Sequence, residues 1–129
     1  MTTIEMMDLV RRWFGQAEQA DGPLLPDGWF GGRCRENTFW LKDVRASDEA
    51  LDIQFDSDTG LHFDRPGRVF VENSELVFDG FQQATLRWRH YGGGPDAPYH
   101  EKRYNSGQVR LVPPVGTKVV LGRSKRKSK

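Results

Sequence analysis

The sequence predicts a mainly β domain in which an amphipathic amino-terminal helix packs on a curved antiparallel β-meander, or partial barrel, of about seven to nine strands. Three observations carry that prediction. Between Ala50 and Tyr91 apolar residues recur at every second position: Leu51, Ile53, Phe55, then Leu61, Phe63, then Leu76, Phe78, then Leu86, Trp88. Successive side chains of a strand point to opposite faces, so this spacing describes half-buried strands. Clusters of Gly, Pro, Asn, Asp and Ser interrupt the pattern at short intervals, and short connections join antiparallel strands because parallel ones need long crossovers. Thr2 to Ala20 carries the helical period instead.

In that first segment Thr2 with Glu5 three places on is a capping box, in which each side chain satisfies a backbone donor of the other residue. Met6, Met7, Leu9, Val10, Trp13, Phe14 and Ala17 fall on one broad face, with Glu5, Asp8, Arg12, Gln16 and Gln19 opposite. Such an arc covers a sheet or sits in a subunit interface. Asp21-Gly22-Pro23 is expected to end the helix, since Gly accepts a left-handed cap and Pro cannot continue. A turn-rich connector follows, with Trp29 and Phe30 placed to plug a core edge.

A first strand is expected over about Thr38 to Arg45, with Phe39 and Leu41 on one face and Trp40 on the other, before the turn at Ala46-Ser47-Asp48-Glu49. Ser57-Asp58-Thr59-Gly60, Arg65-Pro66-Gly67-Arg68 and Glu72-Asn73-Ser74-Glu75 then join successive strands. Val69-Phe70-Val71 and Val77-Phe78 are apolar on both faces, so part of the sheet is covered twice, and the helix is the expected cover. Gly92-Gly93-Gly94-Pro95 opens a loop, Tyr99 to Tyr104 and Gln108 to Val112 form a closing hairpin about Asn105-Ser106-Gly107, and Thr117 to Leu121 adds a short edge strand. Residues 1–122 are thus read as one domain and 123–129 as a solvated basic tail.

The totals agree. With 129 residues the chain can bury a core without staples, and eight Phe, three Tyr and four Trp argue against disorder at 36% apolar content. Cys34 alone makes no internal disulfide, no apolar run reaches membrane-spanning length, and the start lacks the order of a signal peptide. A soluble, cytoplasmic protein with no membrane contact is expected. Net charge is +1, yet five of the 19 Lys and Arg fall in 123–129 while every acidic residue precedes them. The body is therefore slightly acidic.

Several chemistries can be weighed on the residues. Asp58-Thr59-Gly60 resembles the Asp-Thr-Gly of aspartic proteases, and Val119-Val120-Leu121-Gly122-Arg123 is similar to the element that supports the catalytic loop in the dimeric, single-domain type. The resemblance implies Asp58 as the catalytic carboxylate, sharing one proton with its copy in a second subunit, and Gly92 to Gly94 as a flap. That family has apolar residues before the Asp and a small one after the Gly, whereas here Asp56-Ser57 and Leu61 stand there. Asp56-Ser57-Asp58 is not a calcium loop, since Gly60 comes one place early and position twelve is Gly67. His62, His90 and His100 have no metal-ligand spacing, although His62 and Asp64 share a strand face. Cys34 lies between Arg33 and Arg35, and no partner for it can be named. The glycine run lacks the Gly-Lys-Ser or Gly-Lys-Thr of a phosphate loop. No cofactor is implied.

One surface remains. Arg87, Arg89 and Tyr91 alternate with core residues and so point outward, with Tyr99, Arg103 and Tyr104 on the next strand. Basic and aromatic residues interleaved on a sheet suit nucleic acid, and the tail from Arg123 to Lys129 could add salt-dependent contacts. They can equally pair with the outward Asp52, Asp56 and Asp64. The leading expectation is a non-enzymatic module that binds a protein through Arg87, Arg89, Tyr91, Tyr99, Arg103 and Tyr104, with the helix as a route to a homo-oligomer. A β-barrel holding a small apolar ligand among Trp29, Trp40 and Trp88 is the alternative.

Overall fold

The capping box at the amino terminus forms as its residue types dictate. In the computed structural model of the chain, which describes residues 1–28, 38–56, 58–89 and 98–121, helix α1 spans Thr3–Ala17. The Thr2 hydroxyl accepts from the Glu5 N–H at 3.1 Å and the Glu5 carboxylate accepts from the Thr2 N–H at 2.7 Å. That backbone donor holds the Glu5 carboxyl below its ordinary value. Met6, Leu9, Val10, Trp13, Phe14 and Ala17 are buried, and the Trp13 indole N–H donates to the Ser74 carbonyl at 2.8 Å.

The helix stops earlier than expected. Glu18, at φ 69, caps it by donating its N–H to the Phe14 carbonyl. Asp21-Gly22-Pro23 lies instead in strand β1 (Ala20–Leu24), whose pairing shifts register between Asp21 and Leu24, with Gly22 at φ 120. The residues that would end a helix also make a β-bulge, and here they make the bulge.

Among the described residues nine further strands follow: β2 (Thr38–Phe39), β3 (Leu41–Ala46), β4 (Ala50–Phe55), β5 (Gly60–Asp64), β6 (Arg68–Glu72), β7 (Glu75–Asp79), β8 (Gln83–Arg89), β9 (Tyr99–Tyr104) and β10 (Gln108–Val112). They form two five-stranded sheets. Sheet I has the order β2-β1-β10-β7-β6 and sheet II the order β3-β4-β5-β8-β9, with antiparallel pairing throughout.

A single meander is therefore replaced by two sheets. The strand expected from Thr38 to Arg45 breaks at the half-exposed Trp40, where the chain passes from sheet I to sheet II. Glu72 to Glu75 is a true hairpin, with Asn73 and Ser74 both at positive φ as a tight turn requires. Arg65-Pro66-Gly67 instead carries the chain between sheets, and Gly80 to Gln82 carries it back. The two crossovers touch: a Cβ on Gly67 would lie 2.5 Å from the Gly80 carbonyl carbon and oxygen, so no other residue fits. Asn105-Ser106-Gly107 likewise joins strands of different sheets, since β9 pairs with β8 while β10 pairs with β7 and β1.

The core lies between the sheets. Phe63 of sheet II stacks on Phe78 of sheet I with centroids 4.5 Å apart, and Phe55 meets both Phe39 and Phe14. Helix α1 packs on β3, β4 and β6, bridging the edge strands of the two sheets. Most of its apolar face is buried there, with Met7 partly buried and Ile4 exposed. Val77 is also fully buried, but on the opposite face of β7 from the helix, in register between Phe70 and Arg110. Cover on that face comes from side chains, where the helix had been expected. Thr117 to Leu121 adds no strand; the Gln16 amide holds the Val120 N–H at 2.8 Å and its carbonyl at 3.1 Å, and the Val119 N–H donates to Ser74 Oγ at 3.0 Å.

No helix among the described residues is long and apolar enough to cross a membrane. Trp29, Phe30, Cys34, His90, Tyr91, Gly92 to Gly94 and the basic tail lie outside the described residues.

Candidate functional site

Strand parity and register place the candidate residues. On β8, Ala84 and Leu86 are buried in the core, so Thr85, Arg87 and Arg89 face outward from sheet II. Their partners on β9 are Arg103, Glu101 and Tyr99. The Arg87 guanidinium sits 4.1 Å from the centroid of the exposed Tyr99 ring and that of Arg89 sits 5.2 Å from it. Three predicted residues thus meet in one cation–π arrangement.

Tyr104 does not join them. It pairs with the buried Ala84 and so faces the other way, its hydroxyl 3.1 Å from both carboxylate oxygens of Asp27. Burial first, then the hydrogen bond to Asp27, push that phenol up. The Lys102 ammonium, 3.0 Å from Asp27, is raised by the same carboxylate. Tyr91 lies outside the described residues.

The outward arginines face carboxylates. Arg103 reaches Glu101 at 2.8 Å, Arg87 reaches the other oxygen of Glu101 at 3.7 Å, and Arg89 reaches Asp58 at 3.4 Å. Asp52, Asp56 and Asp64, the acids expected opposite these arginines, are used differently. Asp56 accepts the Trp40 N–H at 3.0 Å. Asp52 and Asp64 hold His62 between them, at 3.2 Å from Nδ1 and 3.3 Å from Nε2.

These rows floor an open trough of about 350 Å³ on sheet II. It continues into a second hollow of about 420 Å³, which shares Asp64 and Gln83 and ends at Asn105, Arg65 and Glu49. Gly60 opens the middle, and the Gln54 amide folds over it so closely that an added Cβ would lie 2.8 Å from Nε2.

Asp58 sits in the β4–β5 turn at φ 56, with its side chain more than half exposed and paired with Arg89. Acid protease chemistry needs two carboxylates desolvated side by side, and this one is a solvated turn residue. The Val119 to Leu121 segment that would support it is fastened to α1 and the β6–β7 turn instead. No group of three His, Cys, Asp or Glu among the described residues is placed to hold a metal ion. Of the tryptophans proposed to line an apolar pocket, Trp40 is half-exposed and Trp88 lies against His100 at 5.3 Å between ring centroids. Between the sheets Phe39 stacks on Phe55 and Phe63 on Phe78.

Comparison with protein-family models, with curated proteins and with solved structures found no match.

Proposed function

We propose that this chain is a non-enzymatic binding module that holds a protein partner on the Tyr99 end of sheet II. The observation that carries the reading is the exposed Tyr99 ring flanked by Arg87 and Arg89. Tyrosine and arginine dominate the energetics of protein interfaces because they bring large contact area and directional donors. Stacking also restrains the three side chains before a partner arrives, which reduces the entropy lost on binding. Trp40, half-exposed beside Asp56, extends the same end of the sheet.

Nucleic acid is a weaker fit to this end. Its arginines already face Glu101 and Asp58, so a phosphate would have to displace a carboxylate at each. A carrier of apolar ligands has little support, because the grooves are open and lined by polar groups.

The test is affinity capture from a native lysate with the full chain and with Tyr99→Ala as paired baits. A protein held by the wild type should be held about 30-fold more weakly by the variant, the factor that loss of a ~2 kcal/mol anchor produces. Equal retention by both baits, or no retained protein at all, would overturn the reading.

A further inference from the structure

The trough over β4, β5 and β8, which meets the Tyr99 end at Arg87, carries a second proposal. The geometry points to a binding site for a neutral polyhydroxylated ligand, an oligosaccharide, along Asp52, His62, Asp64, Gln83 and Thr85.

The charge balance comes first. Arg87 and Arg103 both lie against Glu101, and His62 lies between Asp52 and Asp64, so each basic side chain already faces a carboxylate. An anion would find no uncommitted cation in this group, and a cation would have to break His62 from its two carboxylates. An apolar ligand would desolvate polar groups and return no bonds to them. A neutral molecule rich in hydroxyls does neither, because each hydroxyl both donates and accepts.

Order in the lining supports the same class. His62 is fixed between two carboxylates, Gln54 Nε2 donates to Asp52 at 3.3 Å, and Gln83 Nε2 donates to Asn105 at 3.1 Å. After those bonds the second Asp64 oxygen, the Thr85 hydroxyl and the Gln83 carbonyl oxygen make no further side-chain bond among the described residues. Carboxylates, carboxamides and guanidiniums present paired donors or acceptors in a plane, which suits adjacent hydroxyls on a sugar ring. From Gln83 to Arg87 the trough runs ~13 Å at ~3.3 Å per residue, and it is open along its length. A peptide lying there would find no apolar pocket for its side chains, which is why a glycan is the better occupant.

The experiment is a titration of the ¹⁵N-labelled full chain, followed by its amide spectrum, with cellohexaose, maltohexaose, xylohexaose, mannohexaose and chitohexaose, alongside a printed glycan array. The expected result is a saturable shift of amides in Ala50–Gln54, Leu61–Asp64 and Gln83–Arg87 with at least one neutral glycan. Asp64→Ala and Thr85→Ala, each checked for a dispersed wild-type-like spectrum, should weaken that binding about tenfold, and Arg68→Ala on the other sheet should not. No response to any glycan overturns the proposal. So does a response only to charged glycans, or one to an extended Gly/Ser/Thr peptide without any to the sugars. Loss of protein capture in Tyr99→Ala with glycan binding intact would separate this site from the protein-binding end.

Discussion

The outer faces of the two sheets are built from the same residue types and differ in what lies under them. On sheet I, Arg110 reaches Glu75 at 3.0 Å and Glu72 at 2.9 Å, while Asp79 takes one donor from Gln108 and one from Arg68, each at 2.9 Å. The guanidinium is raised further by those bonds, that to Glu75 most, and Asp79 is held low, by Gln108 first and then by Arg68. Val77 lies fully buried beneath. On sheet II the middle strand β5 carries Gly60 and His62, the side chains of Asp52, His62 and Asp64 are more exposed than those of Arg110, Glu75 and Asp79, and an open trough takes the place of the lid. Charge alternation on a strand therefore does not by itself mark a binding surface; the residue under it decides.

Cutting what both faces share should have the largest effect. Phe78 is fully buried and stacks on Phe63 across the sheets, so Phe78→Ala should cost about 3–5 kcal/mol in urea unfolding. Next comes the contrast itself. Arg110→Ala leaves Glu72 and Glu75 without their shared cation over Val77 and should cost about 2 kcal/mol, whereas Arg103→Ala on the exposed face should stay within about 0.5 kcal/mol. Equal losses would mean that the faces are energetically alike.

Acid should act on the same difference. The Asp79 carboxyl is lower in the folded chain than in the unfolded one, so its stabilising effect is complete above the ordinary carboxylate range and is lost as pH falls through the folded value. Asp79→Asn should therefore flatten part of the acid limb of the stability profile. An unchanged acid limb in a Tm series from neutral pH downward would show that Asp79 does not contribute to it.

Much of this architecture was legible because burial on a strand or helix follows parity. Leu51, Ile53, Phe55, Leu61, Phe63, Leu76 and Phe78 are all buried, as are six of the seven residues assigned to the helix's apolar face. Parity does not reveal which sheet a strand joins. Arg65-Pro66-Gly67 reads the same as a hairpin or a crossover, and only the approach of Gly80 to Gly67 distinguishes them. Strand β1 was hidden because its Gly22-Pro23 is also helix-stop chemistry. Within the candidate site, parity separates Tyr99 from Tyr104 on one six-residue strand, whereas the Asp52–His62–Asp64 bridge depends on cross-strand register, which no local pattern carries. The Gln16 clasp on Val120 spans 104 positions and has no local signal at all.

The smallest effect on stability is expected where function is proposed. Tyr99 is exposed, its hydroxyl makes no bond among the described residues, and its contacts are with the outer sides of Arg87 and Arg89. Exposed substitutions of that kind change stability by less than about 0.5 kcal/mol. Tyr99→Ala should therefore match the wild type in urea midpoint and slope while losing the protein partner. A loss comparable to that of Arg110→Ala would instead make Tyr99 a lid for sheet II, as Arg110 is for sheet I. The arginines stacked on it would then be explained by stability alone.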